Sequence, residues 1–115
     1  MNKLNVRQIV NDGMGVMSTD GKKVYAEIKR EIEKNGKAIV SFKDFEIVTG
    51  NFLNGIVWKF PEDFNGKNIN DLIEFVDISD GNRKLICSAL RDAELCYRYP
   101  KEYEEIMNQF WEEFY

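Results

Sequence analysis

Residues 38–60 constrain this chain most. They begin Ala-Ile-Val-Ser-Phe, continue Lys-Asp-Phe-Glu-Ile-Val, and end Thr-Gly-Asn-Phe-Leu-Asn-Gly-Ile-Val-Trp-Lys-Phe. The opening run is short, nearly continuous and rich in β-branched residues, which predicts a strand buried on both faces. At the other end, Phe52, Leu53, Ile56, Val57 and Phe60 share one face at helical spacing. Between the two runs stand Thr49, Gly50 and Asn51, small polar types that open helices. The stretch therefore reads as strand, connector and apolar helix. Thr49 is the N-cap, and Pro61 ends the helix because the residue before a proline leaves the α region.

The rest of the chain supplies elements that pack around this unit. Residues 3–10 mix Leu4, Val6, Ile9 and Val10 with polar residues, the pattern of a half-exposed or edge strand. Asn11-Asp12-Gly13 is a turn signal. Gly13-Met14-Gly15 lacks the full Gly-rich fingerprint of a phosphate loop and reads as a hairpin or flexible turn. Met14 and Met17 have two open fates, an adaptable contact surface or core filling. Ser18-Thr19-Asp20 offers caps for a helix whose stripe is Val24, Tyr25, Ile28 and Ile32 and whose end is Asn35-Gly36. A polar loop follows Pro61, with Phe64 placed to tuck back onto the core.

Leu72, Ile73, Phe75, Val76 and Ile78 predict a third strand, dense enough in apolar residues for a central position. Ser79-Asp80-Gly81-Asn82 then caps a helix reaching about Tyr97, with Leu85, Ile86, Ala89, Leu90, Ala93 and Tyr97 as its buried face. Tyr99-Pro100 breaks the chain. The last predicted helix, residues 101–114, puts Tyr103, Ile106, Met107, Phe110, Trp111 and Phe114 on one side. Such a stripe must be buried, and the tight turn at Tyr99-Pro100 points it back onto its own domain.

The order is strand, helix, strand, helix, strand, helix, helix. Helix crossovers imply parallel neighbours. With 115 residues the expectation is one domain over 1–115. Its class is α/β: a small mixed β-sheet with helices packed on it and an extra amphipathic C-terminal helix.

Several function classes are excluded or disfavoured by what the chain lacks. It has no histidine, so neither a Ser-His-Asp nor a Cys-His site can be built. Two cysteines are too few for an all-Cys zinc site. The expectation is no cofactor and no metal. Cys87 and Cys96 fall nine residues apart in one predicted helix, on opposite faces and about 13 Å apart in rise, so they cannot form a disulfide. They read as buried structural thiols in a reducing compartment. The net charge is −4 with no basic patch, which argues against nucleic acid. No apolar run approaches the length that spans a bilayer, so no membrane association is expected and the cytoplasm is the default. Asp44, Glu46, Asp77 and Asp80 would sit at strand ends, where carboxylates hold magnesium or do acid–base work. No spacing singles out a pair among them.

The motif Val-Ser-Phe at 40–42 followed by Val-Thr-Gly-Asn-Phe-Leu-Asn at 48–54 resembles the STAS-like family of small bacterial proteins. That family shows a strand, small hydroxyl residues, then Phe-Leu opening a helix, in the fold of anti-sigma factor antagonists. The resemblance implies a STAS-like fold and a non-enzymatic regulatory module. It also implies a protein partner, often a kinase-like ATPase, bound through Thr49, Gly50, Asn51, Asn54 and Gly55. In the family, that partner phosphorylates a Ser or Thr at the helix N-terminus. A phosphate there would meet free backbone N–H groups and the positive helix end. It would also bring a charge of about −2 to a contact surface. Here Asn51 occupies the usual hydroxyl position. Thr49 is the only hydroxyl in the motif, open to phosphorylation or to capping. A monomer or weak homodimer is expected. The alternatives are a protein inhibitor or antitoxin-like binder, and an enzyme using carboxylates and magnesium.

Overall fold

The run at 38–42 forms β3 (Ala38–Ser41), the middle strand of a three-stranded sheet. Its neighbours are β1 (Lys3–Asn5) and β5 (Ile73–Val76). Both pairings are parallel, with Leu4 opposite Val40 and Val40 opposite Phe75. The computed structural model describes residues 3–11, 13–45, 47–65, 67–102, 104 and 105. Within them a second parallel pair joins β2 (Met14–Gly15) to β4 (Ile47–Val48). Every described pairing is therefore parallel, as the helical crossovers require. The expected small sheet with helices packed on it is present, but its described pairings are all parallel where a mixed sheet was expected.

Six helices are described: α1 (Val6–Val10), α2 (Ser18–Asn35), α3 (Gly50–Val57), α4 (Phe60–Asp63), α5 (Ile69–Leu72) and α6 (Asp80–Arg98). The core lies between α2, α3 and the sheet, where Val24, Ile28, Val40, Phe52 and Ile56 are almost wholly buried. On α6, Ile86, Ala89 and Ala93 close it.

The structure corrects the reading of the chain at four places. The first predicted strand is only three residues long and turns into α1 at Val6. Asn5 caps that helix, its side-chain oxygen accepting from Gln8 N at 3.3 Å. Val6, Ile9 and Val10 then share a helical face, a spacing that alternation had masked. Pro61 does not end a helix; it lies in the first turn of α4, where its missing N–H is no loss. α3 stops earlier, at Val57. β5 is an edge strand, with Glu74 exposed and Phe75 and Val76 half-buried. Its apolar density serves one buried face.

The fourth correction concerns α6. Leu85 and Tyr97 are exposed rather than buried, at 50% and 42%. The two thiols are free, as expected, but Cys87 is exposed and Cys96 half-buried rather than core. The small residues Ala89 and Ala93 let the helix approach α3 and leave larger neighbours at the margin. A helical stretch follows at residues 100–102 and 104–105. The expected stripe of Tyr103, Ile106, Met107, Phe110, Trp111 and Phe114 lies outside the described residues. Among the described residues no helix is long and apolar enough to cross a membrane.

Candidate functional site

Thr49 joins three elements through its backbone and its hydroxyl. Its N–H donates to Gly15 O at 2.9 Å, extending the β2–β4 ladder by one bond. Its hydroxyl donates to Val16 O at 2.7 Å and accepts from Phe52 N at 3.2 Å. The last contact is the N-cap of α3, as the Thr-Gly-Asn sequence predicts. One side chain thus fixes both the start of α3 and the segment that leaves β2.

That segment carries apolar side chains into solvent. Met14 and Val16 are each 45% exposed and Met17 is 59% exposed. Of the two fates open to the methionines, the structure takes the exposed one. Gly15, between them, is required by a close approach: a Cβ there would stand 2.6 Å from the Phe52 ring. Phe52 is fully buried and packs 5.4 Å, centroid to centroid, from Phe45. The exposed loop therefore rests on a rigid floor.

The predicted site residues divide into two groups. Gly50, Asn51 and Asn54 are exposed and Thr49 is half-buried. Gly55 is buried where α3 crosses α2. A Cβ on Gly55 would run into Ser18 O and lie 3.1 Å from Gly21 Cα. Gly21 is just as crowded from the other side, against Phe52 O and Gly55 Cα. These two glycines let α2 and α3 cross closely, and the backbone of Gly55 also borders a surface groove. Gly50 stands in open space.

Trp58 and Val16 complete the face and were not singled out by sequence reasoning. Trp58 is 56% exposed and borders a shallow groove with Ser18, Lys22, Asn54 and Gly55. Asn51, Asn54 and Trp58 follow i, i+3, i+7, a spacing that puts all three on one side of the chain's path. The position of Trp58 off the apolar stripe of Phe52, Leu53, Ile56, Val57 and Phe60 already marks it for exposure.

The acidic residues named as a possible enzymatic set are not brought into one cluster. Asp44 and Asp77 line a depression at the carboxyl ends of β3 and β5, with Phe42, Ser79 and Asn82. Ser41 Oγ donates to Asp77 Oδ2 at 2.7 Å and holds that carboxylate. Asp80 is the first residue of α6, and Glu46 is outside the described residues. Among the described residues no group of three or more Cys, Asp or Glu is placed to hold a metal ion.

A perturbed titratable pair lies away from this face. The Tyr25 hydroxyl donates to Asp63 Oδ2, joining α2 to α4. Burial first, and that bond second, push the Tyr25 hydroxyl well above the ordinary phenol range. The same bond, with Lys29 Nζ 3.4 Å away, holds the Asp63 carboxyl below its ordinary value. The pair is structural: it braces the α2–α4 contact beside the Tyr25–Phe60 ring pair.

A family model described as a STAS-like domain of unknown function (DUF4325) matches residues 20–83. The match takes in α2, the strands β3 to β5, the whole of α3 and the start of α6. It includes the Thr49 junction. Comparison with curated proteins and with solved structures gives no significant match.

Proposed function

This chain belongs to the STAS-like family (DUF4325), and we propose that it works there as a non-enzymatic regulatory module that binds a protein partner. The contact face is the start of α3 with the segment beside it: Thr49, Gly50, Asn51 and Asn54, flanked by Met14, Val16 and Met17. The observation that carries this reading is the bond from Thr49 to Val16. It places three exposed apolar side chains next to a helix N-terminus with no acidic residue in its first turn. Flexible methionines adapt to a partner's surface, and the helix end favours negative charge. Exposed apolar groups clustered beside fixed polar ones are the usual anatomy of an interaction site.

The partner that the resemblance implies is a kinase-like ATPase. Binding here operates without the phosphorylation switch. Asn51 has no hydroxyl to modify, and the Thr49 hydroxyl is already engaged in two hydrogen bonds. A phosphate on Thr49 would remove the proton donated to Val16 O and loosen the junction. Free thiols support a reducing compartment, for which the cytoplasm is proposed.

The test is capture of partners on the immobilised chain, followed by titration with the purified partner. Met17→Glu and Asn51→Asp should each weaken binding by about tenfold, equivalent to about 1.4 kcal/mol, without lowering the melting temperature. Full affinity in both variants would remove this face from consideration.

A further inference from the structure

We propose that the groove between the α4–α5 connector and α6 binds a small aromatic carboxylate, its ring against Phe64 and its anionic head at Lys67 and Arg91. The groove is the largest concavity among the described residues, about 440 Å³. That volume falls within the range of small-molecule sites, about 300–1,000 Å³. Its floor is apolar. Phe60 is buried, and the Phe64 ring lies 4.9 Å from it at a tilt of 36°. Half-buried Ile69 and Leu90 add aliphatic walls. Phe64 is itself half-buried, so part of its ring is open to a further ring in the offset or edge-on geometry that aromatic pairs prefer.

Backbone bonds hold this wall in place. Phe64 N donates to Phe60 O at 3.0 Å, and Lys67 N donates to Phe64 O at 3.1 Å. Asn68 then caps α5, its side-chain oxygen accepting from Asn70 N at 3.0 Å. The connector that carries Phe64 and Lys67 is thus tied to the helices at both its ends. A ligand meets a formed site and loses little to ordering. Across the groove, Leu90, Glu94 and Arg98 follow i, i+4, i+8 on one side of α6, with Arg91 beside them.

The charge of the rim selects the ligand. Lys67, Arg91, Glu94 and Arg98 are its charged side chains. Arg98 Nε donates to Glu94 Oε1 at 2.8 Å, and that pair neutralises itself. Lys67 and Arg91 make no ion pair among the described residues, and both are exposed. An aromatic body with an anionic end satisfies the apolar floor and the two cations together, and a guanidinium can take a carboxylate with two parallel N–H bonds. The other depressions suit an anion less. The one at the strand ends carries Asp44 and Asp77, the one at Trp58 and Tyr97 carries Glu62, and the small one beside it carries Asp92. The groove shares no lining residue with the Thr49 face, so this site stands independently of the partner reading.

The experiment titrates the full chain with 8-anilinonaphthalene-1-sulfonate, an aromatic anion whose emission rises when it leaves water. One saturating site is expected. Lys67→Glu with Arg91→Glu should weaken it by about tenfold, as two attractive contacts become repulsive, and Lys67→Gln with Arg91→Gln should fall between. Both residues are exposed, so the variants should keep the parent melting temperature. N-phenyl-1-naphthylamine, the same skeleton without the sulfonate, should bind parent and variants alike. Naphthoate should displace the anionic dye from the parent, and uncharged naphthamide should not. Anionic-dye binding that ignores the rim charges overturns the proposal, as does an equal loss of both dyes in a folded variant or displacement by the amide as readily as by the carboxylate. Loss of the dye in Met17→Glu also overturns it, because the probe then sits on the Thr49 face. Displacement by the pentapeptide Glu-Glu-Trp-Glu-Glu but not by naphthoate overturns it as well, because the groove then takes a protein segment.

Discussion

Replacing Gly55 by alanine should destabilise this protein, while the same change at Gly50, five residues earlier in the same helix, should not. At Gly55 the new methyl group would collide with Ser18 O and come within 3.1 Å of Gly21 Cα. Carbon atoms pack comfortably at about 3.5–4.0 Å. The obstacles are backbone atoms of α2, so no side chain can rotate away and the two helices must separate. Overpacking of this kind costs about 1–3 kcal/mol, and a backbone clash belongs at or above the upper end. Alanine returns about 1 kcal/mol of helix propensity. The net loss is about 2 kcal/mol, which for a domain of this size lowers the melting temperature by roughly 8 °C. At Gly50 nothing lies within 4 Å of the new methyl, and the backbone is helical. That variant gains a few tenths to about 1 kcal/mol, or roughly 2–4 °C. Thermal melts followed by far-ultraviolet circular dichroism read both. A Gly55→Ala protein that melts at or above the parent temperature would refute the close crossing of α2 and α3.

Three further outcomes follow from the same contacts. Thr49→Ala should cost about 1–2 kcal/mol in a denaturant titration, for the lost cap and the lost bond to Val16 O, whereas Thr49→Ser should be near neutral. Because the Asp63 carboxyl is held below its ordinary value, its contribution to stability is present above the ordinary carboxylate range and fades as pH falls through the lowered value. Because Tyr25 is held above its ordinary value, its contribution is complete below pH of about 10 and is lost as pH rises beyond it. In Tyr25→Phe the Asp63 titration, followed by nuclear magnetic resonance, should move back up toward the ordinary range; an unmoved titration would show that Lys29 alone depresses it. In native protein a thiol reagent should label Cys87 quickly and Cys96 more slowly, and equal rates would contradict their different exposure.

Where one local rule dominated, the sequence was a sufficient guide to the structure. Thr49, Ser79 and Gly36 end or begin their helices as their types predict, and Ser79 Oγ accepts from Asn82 N at 3.1 Å. The Ala38–Ser41 run is a buried strand because nothing competes with its β-branched residues. Reading failed where two periods overlapped. Residues 3–10 satisfy strand alternation and helix spacing alike, and the Asn5 cap decides for the helix after three residues. Pro61 can stop a helix or start one, and the choice depends on the turn at Trp58 and Lys59, which only tertiary packing sets. In the candidate site, Thr49 and its exposed neighbours were visible as a motif. The role of Gly55 was not, because its partner is Gly21, thirty-four residues away in sequence. Nor was the exposure of Met14, Val16 and Met17, which follows from the two-strand ladder that lifts them off the core.

Hydrogen exchange of the chain with and without its captured partner tests the central claim most directly. Binding should slow exchange of amides at residues 14–18 and 50–54, and leave those around Asp44 and Asp77 as they are. Protection confined to the strand ends or to α6, with residues 14–18 and 50–54 unchanged, would contradict the account.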